Sequence, residues 1–434
     1  MTHTPLFTQG LAQLKAGRFA EAQKCFAENE EKAGTTASTK DLLRQAEQNL
    51  LAGKVDLAGP QFNTVLERNP TLPGVYVGLT RIALFIGQLA EARVHAMAAV
   101  KVGPQLGLSW TMLGLVHEAE GDAKTALGHL EKGAQLGANV FLCQFNFGRL
   151  LAGEGRPGEG IAVLTKAVEL EPKNADGFMI LGMAQKKSKQ FEKALKSIEK
   201  AKDLAPKNPD GWATLADVLF EAREFAAART TLDNGLKTVG EHPALLEKAI
   251  ACAMMLDDAA GACAYLEREL KVVPQHEQGW LNLAHLSLLA GNLDRSESAA
   301  KELIKRNPKN WEAWFHLGNL YDAVPDEAKS EDAYRKALAL KGDEWKVLMN
   351  LATMLVQTTV KAKHQDAKLL LLRAKTLVPA GEWRVHYNLA LAHVRLNETQ
   401  EALALAREIQ SKAPAAEAMV AEARKLESNL QEKT

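Results

Sequence analysis

Apolar residues recur along the chain with the spacing of a helix, and the pattern itself returns after 34 residues. In the segment 311–323, Trp314, Leu317 and Tyr321 lie three and four residues apart, a spacing that places side chains on one face of an α-helix. Weaker versions of the pattern start at Trp212 and Trp280. The spacing predicts short amphipathic helices, and their recurrence predicts that the chain is built from repeated units.

Prolines mark the same period. Pro70 and Pro104 lie 34 residues apart, as do Pro172 and Pro206. Laid out in this register, the chain forms twelve units that start near residues 3, 39, 73, 107, 141, 175, 209, 243, 277, 311, 345 and 383. The first unit is two residues longer than the period, and the eleventh carries about four extra residues around 358–365. Positions are counted from the first residue of each unit.

Small residues occupy two positions of nearly every unit. Position 8 is most often glycine or alanine, as at Gly114, Gly182 and Gly318, and position 20 is most often alanine. Small side chains here allow two helices to approach closely, with large apolar residues at positions 4, 7, 11 and 24 around the contact. Glycine recurs at position 15, where a helix can end in the left-handed conformation, and proline recurs at position 32. The residue pattern of each unit therefore predicts a helix, a tight turn and a second, antiparallel helix.

The tenth unit carries the fullest version of a known motif. It matches the pattern W-x2-L-G-x2-Y followed by an aromatic residue and an alanine, and its matching residues are Trp314, Leu317, Gly318, Tyr321, Tyr334 and Ala337. The pattern resembles the tetratricopeptide repeat (TPR) over about residues 3–414. The resemblance implies an all-α fold, a TPR solenoid in which about twelve helix pairs form a right-handed superhelix with a concave groove lined by the first helix of each pair. The eighth unit matches least well, because Ile250 occupies position 8.

We expect residues 1–414 to form one continuous TPR solenoid, because each unit buries its apolar face only against its neighbours. The remainder, 415–434, is expected to be a C-terminal capping helix and a tail. Within it, Met419, Ala423, Leu426 and Leu430 are spaced to lie on one face of a helix, and the other face is charged. Such a helix would cover the apolar side of the last repeat.

Composition narrows the range of functions. Apolar residues make up 47% of the 434 residues and aromatic residues 6%, and the formal net charge is zero. A neutral chain has no general attraction to nucleic acid or to an anionic membrane. The first residues show no basic segment followed by an apolar run, and no apolar stretch is long enough to span a membrane. We therefore expect a cytoplasmic protein, unless a leader was removed, and we expect its four scattered cysteines to be free thiols.

The resemblance implies that positions 2, 5, 6, 9, 12 and 13 of each first helix face the groove. Position 6 is asparagine in four of the twelve units, at Asn146, Asn282, Asn350 and Asn388, and it is His316 in the tenth. A side-chain amide offers both a donor and an acceptor, so a row of them can bond the backbone of an extended peptide. The alternative is that asparagine is merely tolerated at an exposed position.

Aromatic and imidazole side chains lie beside this row. Phe315 and Tyr387 at position 5 are candidate receptors for apolar side chains of a partner, because buried aromatic anchors often dominate binding energy. His285 and His316 are expected to face each other across neighbouring helices. No carboxylate or third histidine stands at a matching position, so we expect polar groove lining there rather than a metal site.

Part of a carboxylate clamp is also present. Some family members hold the C-terminal carboxylate of a peptide with lysine, asparagine and arginine side chains from three successive units. Asn319, Asn350 and Arg384 match three of those positions, but Phe315 replaces a lysine and Asn388 replaces an arginine. Two of the cationic groups that would hold the carboxylate are therefore missing.

No catalytic arrangement, cofactor motif or metal-binding cluster emerges from the sequence. The glycine-rich stretch 153–160 falls on the turn of the fifth unit, without the preceding strand that a phosphate-binding loop needs. We therefore expect no enzyme, no cofactor and no metal. The predicted function is a scaffold or adaptor that binds segments of other proteins or peptides in its groove, with a homo-oligomer as a further option. The alternative prediction is an assembly factor or chaperone for a secretion or surface-appendage system.

Overall fold

The computed structural model describes residues 4–33, 38–414 and 418–432. These residues form 25 α-helices and, over the ranges so described, no β-strand. The all-α fold predicted from the repeat pattern is thereby confirmed. The chain divides into two compact parts, Met1–Glu224 and Phe225–Thr434, which are called the N-terminal half and the C-terminal half.

In both halves, most helices pack against the next helix along the chain. The helices of the N-terminal half are α1 (Pro5–Lys15), α2 (Phe19–Ala33), α3 (Thr39–Leu51), α4 (Val55–Arg68), α5 (Pro73–Phe85), α6 (Leu89–Val102), α7 (Gly107–Ala119), α8 (Ala123–Leu136), α9 (Phe141–Gly153), α10 (Pro157–Leu170), α11 (Ala175–Lys187), α12 (Phe191–Leu204) and α13 (Pro209–Glu221). Those of the C-terminal half are α14 (Phe225–Val239), α15 (Pro243–Met255), α16 (Ala259–Val272), α17 (Glu277–Leu289), α18 (Leu293–Arg306), α19 (Trp311–Ala323), α20 (Glu327–Leu340), α21 (Trp345–Gln357), α22 (Lys361–Leu377), α23 (Trp383–Arg395), α24 (Thr399–Lys412) and α25 (Ala418–Gln431). The odd-numbered helices from α1 to α23 are called A helices, and the even-numbered helices are called B helices.

The turn after nearly every A helix contains a residue of positive φ at position 15. Glycine at this position has a positive φ, for example 75° at Gly291. Six units carry another residue there, and five of these residues also have a positive φ: Lys189, Arg223, Asp257, Pro325 and Asn397. A side chain in this conformation is strained by about 1 kcal/mol. The repeat frame therefore fixes the backbone even where glycine is absent.

Close contact inside a helix pair depends on small residues, as the sequence predicted. At Gly318, a Cβ atom would lie 2.4 Å from Cδ1 of Tyr334 at position 24, and Tyr334 is 1% exposed. The position-20 residues Ala126 and Ala194 are fully buried. The large residue at position 24 thus fills the space that the small residues leave, because protein interiors are packed to nearly crystalline density.

Tryptophan at position 4 bonds the start of an A helix to the loop that follows the preceding B helix. The indole N–H of Trp110 donates to the carbonyl of Pro104 at 2.8 Å, and that of Trp280 donates to the carbonyl of Pro274 at 3.0 Å. The proline that ends one unit is therefore bonded by the aromatic residue of the next.

The C-terminal end departs from the regular repeat. Helix α22 has 17 residues, compared with 14 in α20, so most of the extra residues of the eleventh unit lengthen this helix. Helix α25 contacts α24 and α23, and its Val420 and Ala423 are buried. It covers apolar surface of the last helix pair, in the place that the sequence predicted for a capping helix.

All four cysteines are free thiols, and Cys143, Cys252 and Cys263 are buried, as predicted. None of the described helices combines the length and the apolar character that crossing a membrane requires. The expectation of one continuous solenoid over 1–414 concerns how the two halves join, and it stays a prediction.

Candidate functional site

A cavity of about 700 Å³ opens between consecutive A helices of the C-terminal half. Its wall is formed by α15, α17, α19 and α21 and by residues that precede α21. The lining residues are Ile250, Met254, Gln278, Leu281, Asn282, His285, Leu286, Trp311, Glu312, Phe315, His316, Asn319, Lys341, Glu344 and Lys346. Five of them were singled out from the sequence as groove residues: Asn282, His285, Phe315, His316 and Asn319.

Apolar side chains form the floor of this cavity. Leu281 and Phe315 occupy position 5 of neighbouring units and both line it. The ring centroid of Phe315 lies 6.2 Å from that of Trp311 and 6.0 Å from that of Tyr334. Tilted aromatic pairs at these separations attract each other, so Phe315 is held in place while it remains half-buried. The floor therefore offers fixed apolar surface to a ligand.

The amide of Asn319 is oriented by two hydrogen bonds. Its Oδ1 accepts one from Tyr334 Oη and one from Asn350 Nδ2, each at 2.8 Å. Burial raises the pKa of Tyr334, so its hydroxyl keeps the proton that it donates. Both acceptor sites of the amide oxygen are thus used, and no described residue accepts from Asn319 Nδ2. Asn319 consequently presents N–H donors at the cavity.

His316 belongs to the inner wall. It is 4% exposed, and its Nε2 lies 2.8 Å from Ser296 Oγ. The Ser296 hydroxyl donates its only hydrogen to the Ala284 carbonyl at 2.8 Å, so His316 Nε2 must be the donor of the other bond. Burial lowers the pKa of His316 to about 4, and His285, whose ring centroid lies 6.1 Å away, adds to this effect. His316 is therefore a neutral ring at pH 7.

The rim of the cavity carries both signs of charge. Lys341 Nζ lies 4.2 Å from the centroid of the Trp311 ring and 3.2 Å from Glu344 Oε2. Glu312 forms no ion pair within the described ranges. The described residues include no group of three or more histidine, cysteine, aspartate or glutamate side chains that could hold a metal ion. The cavity can therefore bind a ligand by apolar contact, hydrogen bonding and charge pairing.

The predicted residues of α23 lie outside the cavity wall. Asn388 Nδ2 donates to Thr353 Oγ1 at 2.7 Å, and Tyr387 Oη donates to Glu422 Oε2 on α25 at 3.4 Å. Arg384 is exposed and pairs with the carboxylate at the start of its own helix at 2.6 Å. Asn350 does not line the cavity either, but it is bonded to Asn319, which does.

The remaining predicted residue, Asn146, lies on α9 in the N-terminal half and is 8% exposed. Its Nδ2 donates to the Leu142 carbonyl of the same helix at 2.7 Å. On the same helix, Arg149 donates two hydrogen bonds to the Glu118 carboxylate on α7, at 2.8 and 2.6 Å. Here the polar groups are bonded within the protein.

The repeat frame matches models of a known family. One tetratricopeptide repeat model matches residues 186–250, and a second matches residues 145–209 and 281–344, which include all of α19 and α20. The chain is a tetratricopeptide repeat protein. The described residues form 25 helices, the number expected from twelve two-helix repeats and one capping helix.

Several solved structures resemble parts of this TPR protein. PilF of Pseudomonas aeruginosa is 22% identical over 50% of this chain and 96% of its own, with a TM-score of 0.41. Yeast Tom70 is 15% identical over 91% of this chain and 96% of its own, with a TM-score of 0.39. MamA from Desulfovibrio magneticus is 20% identical over 38% and 94%, with a TM-score of 0.35. No curated protein matches the chain. At these identities and scores, the likenesses indicate nothing about function.

The TPR fold supports a role as a protein-interaction scaffold, and TPR proteins are generally not enzymes. Which residues contact a partner stays a prediction, as does the alternative of an assembly factor or chaperone. The sequence reasoning did not single out Met254 or Asp322, although both occupy position 12, a position expected to face the groove. The signal that could have found them is the comparison of this position across neighbouring units.

Proposed function

We propose that this TPR protein is a scaffold that binds an extended polypeptide segment of a partner in the cavity between α15, α17, α19 and α21. The observation that carries the proposal is the state of Asn319. Its amide oxygen is saturated by Tyr334 and Asn350, so its N–H donors are the groups left for a ligand. The Asn319 amide is already ordered in the free protein, so binding loses less side-chain entropy.

The neighbouring amide supplies the complementary group. Asn350 donates through Nδ2 to Asn319, and no described residue donates to Asn350 Oδ1. A donor on α19 and an acceptor on α21 thus lie side by side. An extended backbone alternates carbonyl acceptors and N–H donors, so it can bond to both amides whatever its sequence.

The apolar floor provides the second part of recognition. A side chain of the bound segment can cover Phe315 and Leu281, which are both partly open. Phe315 is held by its aromatic neighbours Trp311 and Tyr334. Burial of a large apolar side chain contributes about 1.5–3 kcal/mol. The amides would then hold the main chain while the floor selects for an apolar residue.

The test uses the full chain, immobilised, and a phage-displayed library of random dodecapeptides. A selected peptide is synthesised with a fluorescein label, and its dissociation constant is measured by fluorescence anisotropy. Asn319→Ala is expected to weaken binding about three- to tenfold, since one hydrogen bond contributes about 0.5–1.5 kcal/mol. N-methylation of the peptide backbone at the residues that bind should weaken the wild type to a similar degree.

Asn146→Ala is the control, because Asn146 is also an asparagine at an expected groove position, position 6 rather than position 9, and it is bonded to its own helix. Its affinity for the peptide should stay within about twofold of the wild type. If Asn319→Ala binds the selected peptide as tightly as the wild type, the amide does not contact the ligand and the proposal is wrong. Circular dichroism of both variants checks that the helices are intact.

A further inference from the structure

Asp322 lies on the same face of α19 as the candidate site. It follows Phe315 and Asn319 at i+7 and i+3, a spacing that keeps side chains on one stripe of a helix. The charge of Asp322 contributes to the raised pKa of Tyr334, the residue that orients Asn319. Asp322 therefore lies within electrostatic reach of the amide pair.

The N-terminal half contains one other carboxylate in this register, and it is neutralised by an ion pair. Glu118 occupies position 12 of its unit, and Arg149 occupies position 9 of the next unit. Their side chains form a two-bond ion pair between neighbouring A helices, α7 and α9. In this pair, the partner of the position-12 carboxylate is the residue at position 9 of the following A helix.

Asp322 lacks such a partner. It also occupies position 12, but position 9 of the following A helix is Thr353. The Thr353 hydroxyl donates to the Met349 carbonyl at 2.8 Å and accepts from Asn388 at 2.7 Å. Within the described ranges, Asp322 forms no hydrogen bond or ion pair.

Desolvation by the surrounding protein disfavours the charged form of Asp322. The position-12 residues of the adjacent A helices are Leu288 and Val356, both apolar. Asp322 is exposed, yet the surrounding protein is dense enough to raise the pKa of its carboxyl by desolvation. A carboxylate in such a place gains from a cation that arrives with a ligand, since partial desolvation strengthens charge pairing.

We propose that the bound segment carries an arginine or lysine whose cation pairs with Asp322. The inference rests on the proposed function, because it assigns a side chain of the same extended segment. The partner is accordingly a polypeptide with a basic residue near an apolar one, and an acidic segment is disfavoured at this point of the groove.

The test extends the peptide selection on the immobilised full chain. Selected peptides should be enriched in arginine or lysine near an apolar residue. One of them is synthesised in two forms, with the basic residue intact or replaced by a neutral isostere, citrulline for arginine or acetyl-lysine for lysine. The wild type should bind the charged form about tenfold more tightly, as found for close charge pairs at interfaces.

Two variants make the result specific. Asp322→Asn removes the carboxylate, and Thr353→Arg supplies the ion-pair partner that the register of Glu118 and Arg149 provides. Both should reduce the discrimination between the charged and neutral peptides to about twofold or less. Because Thr353→Arg keeps the carboxylate, it tests the pairing rather than the presence of Asp322.

The outcomes separate the two proposals. Peptides that need Asn319 but show no basic enrichment, or that discriminate equally in Asp322→Asn, overturn the role of Asp322 and leave the groove intact. If Asn319→Ala does not change the peptide affinity, the proposal that the groove binds the peptide is wrong. Loss of discrimination in both variants, with the neutral peptide bound as before, supports the inference.

Discussion

Two regions of the molecule carry polar residues in the same repeat register and use them differently. Across α7 and α9 in the N-terminal half, Glu118 and Arg149 are paired at 2.8 and 2.6 Å, and Asn146 is bonded to its own helix. Across α19 and α21 in the C-terminal half, Asn319 and Asp322 keep groups that no described residue bonds. The first region uses its polar groups to join neighbouring repeats, and the second leaves them available.

The difference comes from single positions rather than from the fold. Both regions have a 13-residue A helix in each unit and a small residue at position 8. What changes is the residue that faces a given side chain from the next repeat: Arg149 in one region and Thr353 in the other. A polar residue on the groove face therefore indicates binding only when its neighbour in the next repeat is known.

The largest effect that separates the regions should come from pH. His316 at position 6 is buried with a pKa near 4, whereas the equivalent residue of the N-terminal region is Asn146. The unfolded chain protonates His316 near pH 6.5, but the folded chain keeps it neutral down to about pH 4. Protonation therefore favours unfolding in this window, and the stability present above about pH 6.5 falls by up to about 3 kcal/mol on approaching pH 4.

His316→Asn removes this titration and inserts the commonest residue of the row. Denaturant unfolding, followed by tryptophan fluorescence at about pH 7.5 and about pH 4.5, gives the free energy of unfolding for both proteins. The wild type should lose about 2–3 kcal/mol more than the variant over this interval. Equal losses would mean that His316 takes up its proton without unfolding the region. Hydrogen exchange can localise the loss, because segment 141–170 contains no histidine.

The repeat frame could be predicted from the sequence, but the candidate site could be predicted only in part. The difference is whether the deciding contacts lie within one unit or between units. The frame follows from small and large residues at fixed positions, such as Gly318 and Tyr334, whose contacts lie within one unit. Phe315 and Asn319 were found because they occupy groove positions. The burial of His316 against Ser296 and the lack of a partner for Asp322 depend on side chains in neighbouring units. Those pairings become visible only when the units are stacked.

The second prediction concerns the close contact at position 8. Gly318→Val places side-chain atoms against Tyr334, since a Cβ there would already lie 2.4 Å from its ring. We expect a loss of about 2 kcal/mol in the free energy of unfolding. The peptide affinity should fall as well, because displacement of Tyr334 releases Asn319 Oδ1.

Gly148→Val is its counterpart in the N-terminal region, where a Cβ would lie 2.7 Å from Leu164 Cγ. It should cost a similar free energy of unfolding, about 2 kcal/mol, and leave the peptide affinity unchanged. Thermal denaturation followed by circular dichroism, together with anisotropy, measures both quantities. A loss of peptide affinity in Gly148→Val would show that the two regions do not differ as described.

The smallest expected effect comes from giving the N-terminal region an unpaired carboxylate like that of the C-terminal region. Arg149→Thr leaves Glu118 unpaired, as Thr353 leaves Asp322 unpaired. Because the side chains of Arg149 and Glu118 are 33% and 25% exposed, their pair should contribute about 0.5–1 kcal/mol. This contribution should shrink in about 1 M salt, where charge interactions are screened.

Peptide binding is the second property to be measured for Arg149→Thr, after its free energy of unfolding. Arg149→Thr exposes a carboxylate at position 12, but Asn146 on the same helix still donates to its own backbone. If a bound segment needs both a free amide and a free carboxylate, the variant should bind one peptide per chain, as the wild type does. A second bound peptide, counted by titration calorimetry, would mean that an unpaired carboxylate on this face suffices and that the amide pair of α19 and α21 is dispensable.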